Sequence, residues 1–241
     1  MARGGGREPA AIRPLSILPE IDSWAEGAVT IAVGGTRVLC TATIEERVPP
    51  HRRGTRLGWV TAEYGMLPRA TQERSPRERG GRVDGRSQEI QRLVARSLRA
   101  AVDMRRLGER TVIVDCDVLR ADGGTRTASI SGGFVALALA CRRLQAAGMV
   151  KSDPLVRQVA AISAGLVDGI PLVDLDYGED SRAAVDLNLV MTDQLEIVEV
   201  QGTAEGSALP RRQLDPILTL AEAGIRQVLA AQAAALQVHP A

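Results

Sequence analysis

Glycines, hydroxyl groups and one arginine stand between two apolar runs near the middle of the chain. Residues 111–118 are rich in β-branched side chains and predict a strand, and residues 129–147 predict a helix. Between them stand Gly123, Gly124, Thr125 and Arg126. Backbone N–H groups at a helix start bind anions, and a hydroxyl and a guanidinium add contacts that suit phosphate. The turn predicts an anion site, and a tight turn built for packing is the alternative. The phosphate-loop pattern GxxxxGK(S/T) and the dinucleotide pattern GxGxxG are absent.

A second arginine stands at the predicted start of another helix. Asp84 has the residue type of an N-cap, which places Arg86 in the first helical turn. The helix dipole disfavours a cation there. Either an anion lies between Arg86 and the helix end, or Arg86 forms an ordinary salt bridge with a nearby carboxylate.

Two aspartates in the second half suit a hard cation. In the predicted strand 183–191, alternation places Asp186 and Asn188 on one face, and Asp180 lies in the turn before it. Carboxylates without histidine or cysteine suit Mg²⁺, and a solvated acidic turn is the alternative. The only histidines, His51 and His239, do not supply a Ser-His-Asp relay or a zinc site.

An arginine-rich loop is predicted over residues 68–83. Exposed arginines in such a loop suit an RNA backbone, although the loop also carries glutamates and would equally serve as a solvated surface. With five aromatic residues in the chain, base stacking on aromatic platforms is not expected. The arginines of this loop that could contact RNA are Arg69, Arg74, Arg77 and Arg79.

The elements that must position these groups form two strand-plus-helix halves, which predicts an α+β fold. We expect a flexible tail over residues 1–9, a first half with the anion site over 10–150, and a second half with the carboxylates over 151–241. The first half is predicted to hold a hairpin around Gly34 and Gly35, strands at 58–63 and 111–118, and helices from 86 and over 129–147. The second half is predicted to hold strands at 156–167, 171–175, 183–191 and 195–201 and a helix over 215–236.

Bulk composition indicates a globular protein of the cytoplasm. The 241 residues are 45% hydrophobic and carry a formal net charge of +1, so global charge does not indicate a nucleic-acid partner. Cys40, Cys116 and Cys141 show no CxxC spacing and predict buried free thiols in a reducing compartment. We expect no membrane association, because no apolar run approaches the roughly 18 residues of a span and the N-terminus lacks a secretory pattern.

Together these motifs resemble the ribonuclease PH family of bacterial phosphorolytic 3′→5′ exoribonucleases, which are tRNA nucleotidyltransferases. The matching text is EYGMLPRAT at 63–71, GRSQEIQRL at 85–93, DGGTRTA at 122–128, SGG at 131–133, and EDS at 179–181 before VDLN at 185–188. The similarity extends from about Arg13 to Leu236. It implies the ribosomal protein S5 domain 2-like fold, with inorganic phosphate on Arg86, Gly124, Thr125 and Arg126, and a catalytic Mg²⁺ or Mn²⁺ on Asp180 and Asp186.

The resemblance also implies a reaction and partners. Inorganic phosphate, as co-substrate, would attack the last phosphodiester of an RNA, release a nucleoside diphosphate and trim the 3′ end of precursor tRNA or of other structured RNAs such as rRNA. The reaction is reversible. The family forms ring-shaped homohexamers, trimers of dimers, in which Arg69, Arg74 and Arg77 would grip the tRNA acceptor stem.

Three other functions fit these motifs less well. A non-catalytic RNA-binding or ring-forming subunit would be expected to lack the arginine or aspartate pair, and this chain has both. A hydrolytic nuclease would have no use for Arg86 and the glycine turn. A small-molecule kinase on a related fold is the third, and the chain shows no nucleotide-triphosphate loop.

Overall fold

The first half of the chain is a five-stranded sheet covered by helices. The computed structural model describes Arg3 and residues 6–20, 23–77, 84–206 and 208–238. The strands are β1 (Leu15–Pro19), β2 (Gly27–Val33), β3 (Thr36–Glu45), β4 (Trp59–Met66) and β5 (Thr111–Arg120), and the helices are α1 (Gly85–Arg99), α2 (Met104–Leu107) and α3 (Thr125–Ala146). The sheet order is β1-β2-β3-β5-β4. Neighbouring strands are antiparallel except β4 and β5, which are parallel.

The second half is a four-stranded antiparallel sheet with one long helix. Its strands are β6 (Val159–Val167), β7 (Ile170–Val173), β8 (Val185–Thr192) and β9 (Ile197–Ala204), in the order β7-β6-β8-β9. The short helix α4 (Tyr177–Asp180) connects β7 to β8, and α5 (Arg211–Val238) packs on β6 and β7.

Helix α3 joins the two halves because it is buried on nearly every side. It packs on β2 and β3 of the first sheet, on β6 of the second sheet and on α5. The contact with the first sheet is close: a Cβ added at Gly132 would lie 2.7 Å from Ile31 Cγ2 and 2.9 Å from Cys40 Sγ. The fully buried amide of Gln232 on α5 donates to Ser131 O at 2.9 Å and to Val159 O at 3.0 Å. These bonds tie α3, β6 and α5 together.

The predicted α+β fold with two strand-plus-helix halves is confirmed, including the hairpin, the later strands and the long last helix. The starts predicted for α3 and α5 are each four residues late, because the helices begin at Thr125 and at Arg211. Residues 67–77 form neither helix nor strand, and 78–83 lie outside the described residues. The cysteines are buried and free, as predicted. In the described part of the chain, no helix combines the length and hydropathy that a membrane crossing needs.

Two arginines of the predicted flexible tail, residues 1–9, pack against the second half. The guanidinium of Arg3 lies 2.8 Å from Glu179 Oε1, and that of Arg7 lies 3.0 Å from Glu179 Oε2. Both arginine side chains are largely buried. A buried carboxylate in the second half therefore supplies the partner that the local sequence lacks. Residues 1, 2, 4 and 5 of the predicted tail lie outside the described residues.

Candidate active site

The glycine turn leads directly into α3. Gly123 and Gly124 have φ of 76° and 67°, a left-handed conformation that suits glycine. Gly124 is the N-cap, and the Ala128 N–H donates to Gly124 O at 3.0 Å. The N–H groups of the first turn therefore have no acceptor within the helix and lie at the positive end of its dipole. Thr125 and Arg126 belong to this first turn, so their hydroxyl and guanidinium lie beside the same backbone donors.

A buried tyrosine orients the Thr125 hydroxyl. The hydroxyl of Tyr64, on β4, lies 2.9 Å from Thr125 Oγ1. The pKa of Tyr64 is raised, because burial outweighs the opposing effects of the hydrogen bond to Thr125 and of the charges of Arg86 and Arg126. Sequence reasoning did not identify Tyr64, although it lies in the EYGMLPRAT motif. No local pattern links it to a residue 61 positions away.

Arg126 is held in place by two side chains. Its Nη2 donates to Glu89 Oε2 at 2.9 Å, and its Nη1 donates to Gln201 Oε1 at 3.2 Å. Gln201 Nε2 in turn donates to Glu89 Oε1 at 2.7 Å, which closes the network. Glu89 lies on α1 and Gln201 on β9, so both halves of the chain orient this guanidinium.

Arg86 lacks such a partner within the part of the chain that the structure describes. It is the second residue of α1, is exposed, and forms no hydrogen bond or ion pair with any described residue. The salt-bridge alternative is therefore not observed in the described part of the chain. The charge of Arg86 does act on Asp180 and Asp186, since it lowers the pKa of each. An unpaired cation at a helix start is what an anion site requires.

Asp180 and Asp186 lie close enough to interact. Both are half-buried, Asp180 at the end of α4 and Asp186 on β8. Burial, and next the charge of Asp180, raise the pKa of Asp186 to about 6, although Arg126 and Arg86 oppose the shift. Burial also raises the pKa of Asp180. Two carboxylates that disfavour each other's charge gain stability from a shared cation.

The donor set of these two aspartates fits Mg²⁺. Carboxylate oxygens are its preferred protein ligands, and it commonly retains several waters beside one or two carboxylates. Among the residues that the structure describes, no group of three or more His, Cys, Asp and Glu side chains forms a metal cluster. A cation on Asp180 and Asp186 would therefore complete its shell with water or with substrate oxygens.

A capping box fixes the short helix that carries Asp180. The Glu179 N–H donates to Asp176 Oδ1 at 2.9 Å, and the Asp176 N–H donates to Glu179 Oε2 at 3.2 Å. Burial disfavours the charge of Glu179, yet the hydrogen bonds from Arg3 and from the Asp176 N–H hold its pKa below the usual value. Asp180 thus follows a residue that is anchored on two sides.

The arginine loop is bonded to the chain just before the glycine turn, since the Ala121 N–H donates to Ala70 O at 2.8 Å. Arg69, Arg74 and Arg77 are exposed, as predicted. Within the described residues they share no hydrogen bond or ion pair with the turn or with the aspartates. The loop begins directly after β4, and β4 carries Tyr64, whose hydroxyl contacts Thr125 at the start of α3.

Comparisons with known proteins identify the family of the chain. The profile of the 3′ exoribonuclease family, domain 1, matches residues 11–142, and that of domain 2 matches residues 157–224. The chain is 57% identical over 234 residues to Ribonuclease PH of Roseobacter denitrificans, covering 97% of this chain and 99% of the relative. It is 54% identical over 235 residues to Ribonuclease PH of Cereibacter sphaeroides, with the same coverage of 97% and 99%.

Solved structures show the same fold. Rice Rrp46 has a TM-score of 0.77 at 17% identity, over 96% of this chain and 99% of that chain. The Archaeoglobus fulgidus exosome with RNA bound to the active site has a TM-score of 0.78 at 23% identity, over 92% and 89%. The resemblance seen in the sequence is thereby confirmed. The chain belongs to the 3′ exoribonuclease family.

Proposed function

We propose that the chain is a phosphorolytic 3′→5′ exoribonuclease that trims the 3′ end of precursor tRNA and of other structured RNAs such as rRNA. One observation carries this conclusion: Arg86, which pairs with none of the described residues, and Arg126, in the first turn of α3, both act on the charge of Asp180 and Asp186. Phosphorolysis needs an anion site beside a site for the scissile phosphodiester. The relatives named Ribonuclease PH support the same activity.

The reaction brings two anions together, and the charges of the site suit that task. An oxygen of inorganic phosphate attacks the last phosphorus of the RNA, the bond from phosphorus to the 3′ oxygen breaks, and a nucleoside diphosphate leaves. Arg86, Arg126 and the N–H groups of α3 hold and neutralise the attacking phosphate, and Tyr64 fixes the Thr125 hydroxyl for the same anion. No histidine is needed to create the nucleophile, because phosphate is already ionised at neutral pH.

The two aspartates act on the other side of the reaction. Bound to Asp180 and Asp186, Mg²⁺, or Mn²⁺ in its place, would supply positive charge at the scissile phosphate and the leaving 3′ oxygen. The aspartates would hold that charge in a fixed place, because α4 is capped and β8 lies within the sheet. In the reverse direction the same groups extend RNA from nucleoside diphosphates.

The partners follow from the same proposal. Arg69, Arg74 and Arg77 bind the tRNA backbone beside the site, and the chain assembles as a ring-shaped homohexamer, a trimer of dimers. This assembly is the one that the resemblance of the sequence to the family implies. The enzyme works in the cytoplasm, and its three buried free cysteines suit a reducing compartment.

The Arg86→Ala variant tests the phosphate role. We expect it to lose phosphorolysis at low phosphate while it sediments as the same oligomer as the wild type. Arg92→Ala is the matched control, because Arg92 is an exposed arginine on the same helix that forms no ion pair with the described residues. Normal turnover by Arg86→Ala at low phosphate would contradict the proposal.

Asparagine variants test the role of the carboxylates. Asp180→Asn and Asp186→Asn should lose turnover and keep their affinity for RNA, because they lose the cation and not the arginine loop. Asp193→Asn, which changes an exposed aspartate in the turn between β8 and β9, serves as the control. An equal collapse of RNA affinity in the Asp180 and Asp186 variants would mean that these aspartates do not act through a metal.

A further inference from the structure

A buried arginine outside the proposed site contacts both of its sides. Arg13 precedes β1, and its side chain is almost fully buried. Its guanidinium donates to backbone oxygens of the glycine turn in the first half and to the Asp174 carboxylate in the second half. The turn leads into the phosphate residues, and the segment after Asp174 leads into Asp180. Arg13 therefore connects the turn before the phosphate residues to the segment before Asp180.

The bond to the second half is bidentate. Arg13 Nε donates to Asp174 Oδ2 at 3.0 Å, and Nη2 donates to Oδ1 at 2.7 Å. The backbone N–H of Arg13 adds a third bond to Oδ2 at 2.6 Å. Asp174 has φ of 52°, which is uncommon outside glycine, and its carboxylate is buried. The chain thus holds an unfavourable backbone conformation that presents this carboxylate to Arg13.

The bonds to the first half reach the turn itself. Arg13 Nη1 donates to Asp122 O, and Nη2 lies 3.4 Å from Gly123 O as donor. Thr36 braces the same backbone, since its Oγ1 donates to Gly123 O at 2.6 Å and accepts from the Asp122 N–H at 2.9 Å. The turn also lies directly against the second half: a Cβ added at Gly123 would be 2.5 Å from Leu175 O.

The N-terminal arginines hold the same segment from its other side. Arg3 Nη2 donates to Val173 O at 2.7 Å, and Arg7 Nη1 donates to Asp174 O at 3.0 Å. The backbone carbonyls of Val173 and Asp174 are therefore hydrogen-bonded, and so is the Asp174 side chain. The segment held in this way leads directly into α4, which carries Asp180.

We propose that Arg13 is a positioning residue for phosphorolysis, which together with Asp174 locks the glycine turn onto the segment that leads to Asp180. The role rests on the proposed function, because it concerns the distance between the attacking phosphate and the scissile phosphodiester. In-line attack requires the reacting atoms to be held about 3–3.5 Å apart, and a shift of about 1 Å costs roughly 100-fold in rate. Without Arg13 the turn keeps its hydrogen bonds to Thr36, so losing the clamp changes alignment more than phosphate affinity.

The Arg13→Lys variant tests this role. Lysine keeps the charge and one bond to Asp174, but it lacks the fork that reaches both the carboxylate and the turn. We expect kcat at saturating RNA and phosphate to fall about 100-fold and KM for phosphate to change by less than about threefold, the pattern of an interaction that acts in the transition state. Arg226→Lys is the control, because Arg226 is an exposed arginine on α5 paired only with Glu222 among the described residues.

A second variant covers a failure of Arg13→Lys to fold. Asp174→Asn has the same shape, tolerates positive φ, and keeps an oxygen for Arg13 while losing the charge of the pair. It should show the same selective fall in kcat. Either variant folding with wild-type kcat would refute the clamp, as would a loss of activity that only tracks the unfolded fraction at the assay temperature. A wild type that releases no nucleoside diphosphate would instead overturn the proposed function and, with it, any catalytic role of Arg13.

Discussion

Replacing Gly123 by alanine tests whether the glycine turn lies as close to the second half as the structure shows. Gly123 has φ of 76°, and a Cβ there would lie 2.5 Å from Leu175 O and 2.8 Å from Asp176 C. Gly148, just after α3, has φ of 68°, and a Cβ there would lie within 4 Å of no atom of the described residues. The two glycines thus share a backbone conformation and differ in the space around them.

The difference between the two variants isolates the close contact. Alanine in the left-handed region costs about 1–2 kcal/mol at either position. At Gly123 the overlap with backbone adds an overpacking cost of about 1–3 kcal/mol. For a chain of this size each kcal/mol lowers the thermal midpoint by about 2–4 °C. We therefore expect Gly123→Ala to unfold roughly 2–12 °C below Gly148→Ala.

Activity should separate the variants further. In Gly123→Ala the turn must move away from the segment 175–176, which displaces the phosphate donors that follow it, and a displacement of about 1 Å costs roughly 100-fold in rate. Thermal unfolding at one fixed protein concentration, followed by phosphorolysis well below both midpoints, measures the two effects. Gly123→Ala with the midpoint of Gly148→Ala and full activity would refute the contact between the turn and Leu175.

Three further changes probe other parts of the site and the sheet. Tyr64→Phe removes the hydroxyl group that contacts Thr125. If this contact contributes about 1.5 kcal/mol to phosphate binding, KM for phosphate should rise roughly tenfold. An unchanged KM in steady-state assays would show that Tyr64 does not orient Thr125 for phosphate. Arg74→Ala should lower RNA affinity and reduce the salt dependence of binding by about one charge, and a wild-type slope in filter binding would exclude a phosphate contact. Burial and two neighbouring carboxylates raise the pKa of Asp115. A carboxyl group whose pKa is raised in the folded state destabilises the fold once it ionises. Asp115→Asn should therefore raise the thermal midpoint at pH 8, and this gain should vanish below the usual Asp pKa of about 3.9. A gain that persists in acid would contradict this cause.

Local patterns in the sequence predict most of the fold and the chemical groups of the site. Alternation placed Asp186 on a strand, and the position of Arg86 at a helix start marked it as a cation in need of an anion. The start of α3 could not be found in this way. Its N-cap is Gly124 in a left-handed conformation, without a side-chain cap, and glycine and threonine are weak helix formers.

The contacts that position those groups could not be read from local patterns. Arg13 and Asp174 are 161 residues apart, and Arg3 and Glu179 are 176 apart. The glycine-rich sequence around Arg3 and Arg7 predicts solvated arginines, because their partner, the buried carboxylate of Glu179, is distant in the sequence. Hydrophobic periodicity predicts which face of a helix or strand is buried. It does not predict which residue, distant in sequence, forms an ion pair with a given side chain.

The most direct test follows the phosphorus atom of the attacking phosphate. Unlabelled RNA with a single-stranded 3′ tail is incubated with the protein, Mg²⁺ and radiolabelled inorganic phosphate, and the small products are separated by chromatography. Phosphorolysis predicts that the label appears in nucleoside diphosphates, one for each nucleotide removed. Unlabelled nucleoside monophosphates would mean that water is the nucleophile, and that result would contradict a phosphate substrate on Arg86, Gly124, Thr125 and Arg126.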